Sequence, residues 1–114
     1  LYPGRRPADL DDHLVAVRQS MRPGGHRRAF TKTTRTSHAP VEARLAEVTA
    51  PTLVVMGERD PDFPDPAGEA RFIAGALSGE VELVPEAGHY PQVEYPEVVN
   101  PSLLAFLARV TPRA

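Results

Sequence analysis

The stretch PTLVVMGERDPDFPDP, residues 51–66, decides how this chain is read. Leu53, Val54, Val55 and Met56 follow one another without a polar residue between them. A strand with one wet face alternates apolar and polar residues; a strand covered on both faces does not, and parallel sheets are built from such strands. The run predicts a strand over 52–56, stopped by Gly57. Asp65 is placed to cap a following helix, with Pro66 at its first position, where a missing N–H costs nothing.

Reading onward, Phe72, Ile73, Ala76 and Leu77 recur at helical spacing and predict a helix over about 66–78, with these four as its inner stripe and Gly79 as its stop. Val81–Val84 is a second apolar run. Strand, helix, strand in this order predicts adjacent parallel strands joined by a crossover helix, hence an α/β fold. Leu103, Leu104, Leu107 and Val110 mark the face of a last helix. Pro101 would cost an unbroken helix about 3 kcal/mol, so Asn100 is the expected cap of a helix restarted there. Glu94 is expected to be structural.

Reading backward, VEARLAEV (41–48) is good for one or two helical turns, and 31–40 is a polar connection. Residues 25–33 suit a short helix with Phe30 as its large apolar residue. Residues 9–21 suit a longer one, with Leu10, Leu14, Val17 and Met21 on one side and Asp9, Asp11 and Asp12 near its positive end. Residues 1–8 read as a loop. Two parallel strands leave edges and apolar faces that need neighbours, so further strands or a partner are expected, with self-association through an exposed sheet edge.

The composition excludes several classes. At 114 residues and 41% hydrophobic content the chain fits one small globular domain. It has no cysteine, hence no disulfide framework. Its net charge of −2 is unevenly spread: residues 1–40 hold eight Lys/Arg against three Asp, and residues 41–114 five against twelve Asp/Glu. Without aromatics among the basic residues, no nucleic-acid partner is expected. No run is long enough to span a bilayer, so neither a membrane association nor a location other than the cytoplasmic one is expected. His13, His26 and His38 are scattered, and no metal is expected.

The chemistry gathers at the strand ends. The first strand runs into GERDPDFPDP and the second into PEAGHYP; in an open parallel sheet, sites form beyond the carboxyl ends of the strands. Asp60 and His89 therefore stand on neighbouring loops. A carboxylate accepting from a histidine ring N–H sets the tautomer and stabilises the imidazolium that forms when the ring takes a proton. Asp60 could instead be a plain Asp-Pro turn residue, Asp62 is a rival acid two positions on, and His89 could be a loop histidine. Gly88 is expected to allow a sharp turn before His89. Tyr90 and Phe63 suit a pocket wall or plain packing.

Gly57, Asp60 and Pro64 fill the pattern Gly-x-x-Asp-x-x-x-Pro, and Gly88, His89, Pro91, Glu94 and Pro96 fill Gly-His-x-Pro-x-x-Glu-x-Pro. In this order, over about residues 41–110, the two resemble the C-terminal part of the α/β-hydrolase superfamily. The resemblance implies Asp60 as triad acid, His89 as general base, 41–114 as the C-terminal part of the core and 1–40 as the end of a helical cap. It implies a serine-type hydrolase acting on an ester-like small molecule, with no cofactor. The family's Gly-x-Ser-x-Gly turn is absent: Ser20, Ser37, Ser78 and Ser102 all lack that context. The expectation is thus a C-terminal fragment that is inactive alone. The alternatives are a relative with an aspartate nucleophile, such as an epoxide hydrolase or dehalogenase, and a non-catalytic remnant that binds or pairs.

Overall fold

A computed structural model describes residues 1–111. The run after Pro51 forms β1 (Leu53–Gly57), and the run after Gly79 forms β2 (Glu80–Val84). The two are parallel neighbours, in register from Leu53 opposite Glu80 to Gly57 opposite Val84. Helix α4 (Pro66–Leu77) joins them and packs against both. The Asp65 side chain accepts from the Gly68 N–H at 2.9 Å, the N-cap that the sequence predicts.

The end of α4 differs from expectation. The left-handed residue is Ser78, at φ 51°, and not Gly79. The Gly79 N–H reaches the Ala74 carbonyl at 2.8 Å and the Ser78 N–H reaches Gly75 at 3.4 Å, the paired bonds of a Schellman stop. Gly79 is needed for closeness instead: a Cβ there would stand 2.8 Å from the Thr52 carbonyl oxygen.

The inner faces also differ. In α4 the buried residues are Ala70 and Ala74, flanked by half-buried Ile73 and Leu77, while Phe72 and Ala76 are exposed. These positions recur at i, i+3, i+4 and i+7, and the alanines let the helix lie close to the strands. Helix α6 (Pro96–Val110) runs unbroken through Pro101 and buries Val99 and Phe106. Leu103, Leu104 and Leu107, expected to face inward, are exposed. Pro101 lies inside the helix, where it leaves the Glu97 carbonyl without its usual N–H donor, and Asn100 lies within the helix and not at a cap. Nor is the sheet covered throughout: Met56, Gly57 and Val84 at the carboxyl ends are buried, while Val81 is exposed. Val84, Ala87 and Val99 form a small core, with Val55 and Tyr95 packed on it. The best-packed part of the sheet is thus the end from which the chemical loops leave.

The chain divides into two units. One comprises Leu1–Arg6 and the chain from Leu45 onward; it includes the sheet, α4, α6, a 3₁₀ turn (Leu45–Glu47) and the short helix α5 (Pro91–Glu94). The other, Pro7–Arg44, holds α1 (Leu10–Ser20), α2 (Gly24–Thr33) and the single turn α3 (Ala39–Glu42). None of its helices buries a residue fully. Val17, Met21 and Phe30 line an open groove of about 770 Å³ together with Arg18, Arg22 and Arg27. Among the described residues no helix is long and apolar enough to cross a membrane.

Candidate active site

The site begins with a crossing of two strand ends. Beyond Gly57 the Glu58 N–H donates to the Val84 carbonyl at 3.0 Å, and the Arg59 N–H to the Ala87 carbonyl at 2.9 Å. The loop after β1 is thereby stitched to the loop after β2. A Cβ on Gly57 would stand 2.1 Å from the Gly88 carbonyl oxygen and 2.4 Å from that of Ala87. Only glycine admits the two loops at this spacing.

Three residues past the crossing on one loop, and one residue past it on the other, stand Asp60 and His89. The Nδ1 of His89 lies 2.9 Å from Oδ2 of Asp60. Asp60 is buried, while His89 keeps about a third of its side chain exposed. The other oxygen of Asp60, Oδ1, accepts from the Asp62 N–H at 3.0 Å, closing a local Asx turn. One oxygen of Asp60 thus closes the turn and the other meets the imidazole. Asp62, about half exposed, places Oδ2 at 3.3 Å from the same Nδ1. With Nδ1 engaged by carboxylate, Nε2 is the ring nitrogen left to take a proton from a reacting group.

Glu94 was legible as structural, but its task was not. It is the most deeply buried carboxylate among the described residues, at 1% exposure. Oε1 accepts from the Gly88 N–H at 2.6 Å; Oε2 accepts from the N–H of Gly4 at 2.8 Å and of Arg5 at 3.3 Å. One side chain thus ties the residue before His89 to residues 1–6. That segment is no free loop. The Leu1 carbonyl accepts from the His89 N–H at 3.0 Å. Tyr2 stacks on Tyr90 with ring centroids 5.3 Å apart. Arg5 lies over the Tyr95 ring at 4.4 Å and pairs with Glu97. The Glu97 carboxyl is held below its usual range, first by backbone N–H donation at its helix N-terminus and then by Arg5.

Gly88 follows the same logic. No glycine among the described residues has a left-handed φ, so the sharp turn expected there is not what requires it. A Cβ on Gly88 would stand 2.3 Å from Cδ of Pro3 and 2.6 Å from the Leu1 carbonyl oxygen. The glycine makes room for the N-terminal segment. Phe63 and Tyr90 are half-buried beside the site.

No serine among the described residues is hydrogen-bonded to His89. Ser20 donates to the Val17 carbonyl at 2.8 Å and Ser102 to Glu82 at 3.0 Å. Ser37 accepts from the Ala39 N–H at 3.4 Å, and Ser78 forms the stop of α4.

Comparison with known proteins finds similarity to hydrolases over part of the chain. Over 66 residues the chain is 41% identical to a 2-hydroxy-6-oxononadienedioate/2-hydroxy-6-oxononatrienedioate hydrolase of Klebsiella pneumoniae subsp. pneumoniae. Over 66 residues it is 39% identical to the hydrolase of the same name from Escherichia coli K12. Each match covers 58% of this chain and 23% of the relative, so the similar stretch spans about a quarter of those proteins. No family model matches the chain, and no solved structure matches it.

Proposed function

We propose that this chain carries the acid–base part of a serine-type hydrolase of the α/β-hydrolase fold. His89 is the general base and Asp60 the acid that orients it. The contact that carries this reading is Asp60 Oδ2 to His89 Nδ1 at 2.9 Å, on loops leaving the carboxyl ends of adjacent parallel strands. Structural ion pairs also occur on loops. Here, however, the carboxylate is buried, the imidazole is partly open, and the pair stands where parallel sheets place their sites.

In the reaction Nε2 takes the proton of a serine hydroxyl as its oxygen attacks the scissile carbonyl carbon. The resulting imidazolium, steadied by Asp60, returns that proton to the leaving group. A water then repeats the sequence against the acyl-enzyme. The nucleophile and the oxyanion donors are supplied by chain outside these 114 residues. The name of these relatives makes the dienedioates the first substrates to assay.

The test uses the longest reading frame that contains this chain, and the 114-residue chain beside it, against an activated short-chain ester and a dienedioate substrate. Turnover in the longer protein that His89→Ala lowers by several orders of magnitude, with none in the short chain, is the expected result. Full turnover in the His89→Ala variant refutes the reading.

A further inference from the structure

We propose that Asp62 is a second positioning carboxylate for His89, sharing Nδ1 with Asp60. The inference rests on the dyad reading above and goes beyond it. A triad needs one acid, and Asp60 already supplies it.

The geometry is specific. Asp60 Oδ2 and Asp62 Oδ2 stand 2.9 and 3.3 Å from the same ring nitrogen. One atom from each of Asp60, Asp62 and His89 lies within 4.8 Å of the others. Two carboxylates this close repel each other, and the arrangement is stable only with a donor between them. His89 Nδ1–H is one such donor. The second is the Asp62 N–H on Asp60 Oδ1, at 3.0 Å. That backbone bond fixes where residue 62 sits relative to Asp60. Its side chain therefore approaches the imidazole from a set direction, although it is about half exposed.

The two acids differ in a useful way. Asp60 is buried and already holds a turn through its other oxygen, so its place is fixed. Asp62 is solvated and adjustable. When the ring becomes cationic, a second carboxylate adds attraction to the charge that forms, and it can follow the ring as the ring moves. The remaining groups about the imidazole come from three elements. On the two loops Arg59 and Glu86 pair with each other at 3.1 Å. Beside Gly88, the Glu94 carboxylate is saturated by three backbone N–H groups. From the N-terminal segment come the Leu1 carbonyl on the His89 N–H and the Tyr2 ring stacked on Tyr90, whose own ring meets the imidazole edge-on at 4.9 Å. None of these is altered by a change at residue 62, so differences between variants isolate the carboxylate.

The experiment is long-range ¹H–¹⁵N NMR of the histidine ring nitrogens in the ¹⁵N-labelled 114-residue chain, with EDTA present. In the unmodified chain at a pH where the ring is neutral, the proton is expected on Nδ1. A proton on Nε2 there defeats the dyad itself, and with it the proposed function. Asp62→Asn should keep the Nδ1–H tautomer but lower the imidazolium fraction at a fixed pH within the ring's titration range, chosen from the parent chain's own NMR titration. An unchanged fraction overturns the role of Asp62 while leaving Asp60 in place. Asp60→Ala should still show Nδ1–H, now held by Asp62. Asp60→Ala with Asp62→Asn should revert to the Nε2–H form. An Nε2–H ring in Asp60→Ala alone also overturns the proposal. Should Asp60→Ala fail to fold, as its circular dichroism would show, the Asp62→Asn measurement decides by itself.

Discussion

Replacing Glu94 by leucine removes a carboxylate at nearly constant volume and leaves three backbone donors without their acceptor. The Gly88 N–H is buried and no water reaches it; stranding such a group costs about 1–3 kcal/mol. The Gly4 and Arg5 N–H groups are part-buried and regain water, so each loses about 0.5–1.5 kcal/mol. Against this stands the relief of no longer burying a charge, which in other buried ionic sites cancels much of the loss. For Glu94 the relief is small. Its three donors are preformed backbone groups, and no cation has to be desolvated with it. The net expectation is a destabilisation of about 2–4 kcal/mol, a large share of the stability of a domain this size. Urea unfolding followed by circular dichroism reads it as a midpoint lowered by about 1–3 M at unchanged slope. Glu94→Gln keeps one acceptor oxygen and turns an NH₂ toward the donors of the other, so about half the loss is expected. Amide exchange at Gly4, Gly88 and His89 should quicken in both variants. A leucine variant within about 0.5 kcal/mol of the parent would refute the reasoning, because hydrogen bonding and desolvation would then balance at this site.

Gly57→Ala forces a methyl into two carbonyl oxygens of the neighbouring loop, and a loss of about 1–3 kcal/mol or more in thermal or urea unfolding is expected. Ser78→Gly relieves the left-handed residue that ends α4 and should raise the melting temperature, with a gain of roughly 0.5–1 kcal/mol. The Glu97 carboxyl, held below its usual range, contributes stability that is complete above its ordinary titration near 4.5 and is lost as pH falls through the lowered folded value. As pH falls through that lowered value the contact of Arg5 with Glu97 should loosen, read as faster exchange at Arg5, and Glu97→Gln should blunt that dependence. In the longer protein Asp60→Asn should lower turnover strongly while leaving the fold's melting transition in place.

The parallel pair was legible because Leu53–Met56 and Val81–Val84 are short, apolar and separated by one helix length, which leaves few ways to connect them. That pairing alone brought Asp60 and His89 to one edge. What was not legible depended on distances between backbones. The inner face of α4 was assigned to Phe72, Ile73, Ala76 and Leu77, whereas it is centred on Ala70 and Ala74 with Ile73 and Leu77 at its flanks, because a close helix–strand approach favours the smallest side chains. Leu103, Leu104 and Leu107 form a regular stripe, yet Val99 and Phe106 are the residues that meet the rest of the unit. Ser78 gave no sign of a left-handed φ with Gly79 beside it. Asp62 could be read only as a rival to Asp60, since nothing in the spacing shows that both carboxylates reach one nitrogen. The N-terminal segment was the least visible, because its partners are Glu94 and Glu97, with no periodicity to link them.

The tie between Gly4 and Glu94 joins residues 90 apart in sequence. Closing a flexible loop of that length costs about 4 kcal/mol in chain entropy before any contact repays it. Three hydrogen bonds, a stacked ring and the contacts of Arg5 with Tyr95 and Glu97 stand against that cost, and the folding of Pro7–Arg44 into helices lowers it by shortening the chain between them. During synthesis residues 1–6 leave the ribosome well before Glu94 and wait for it. Knotting the His89 loop to them is then a late event in the life of the nascent chain. A ribosome stalled before residue 94 would carry the sheet, α4 and Asp60 with the His89 loop still unanchored.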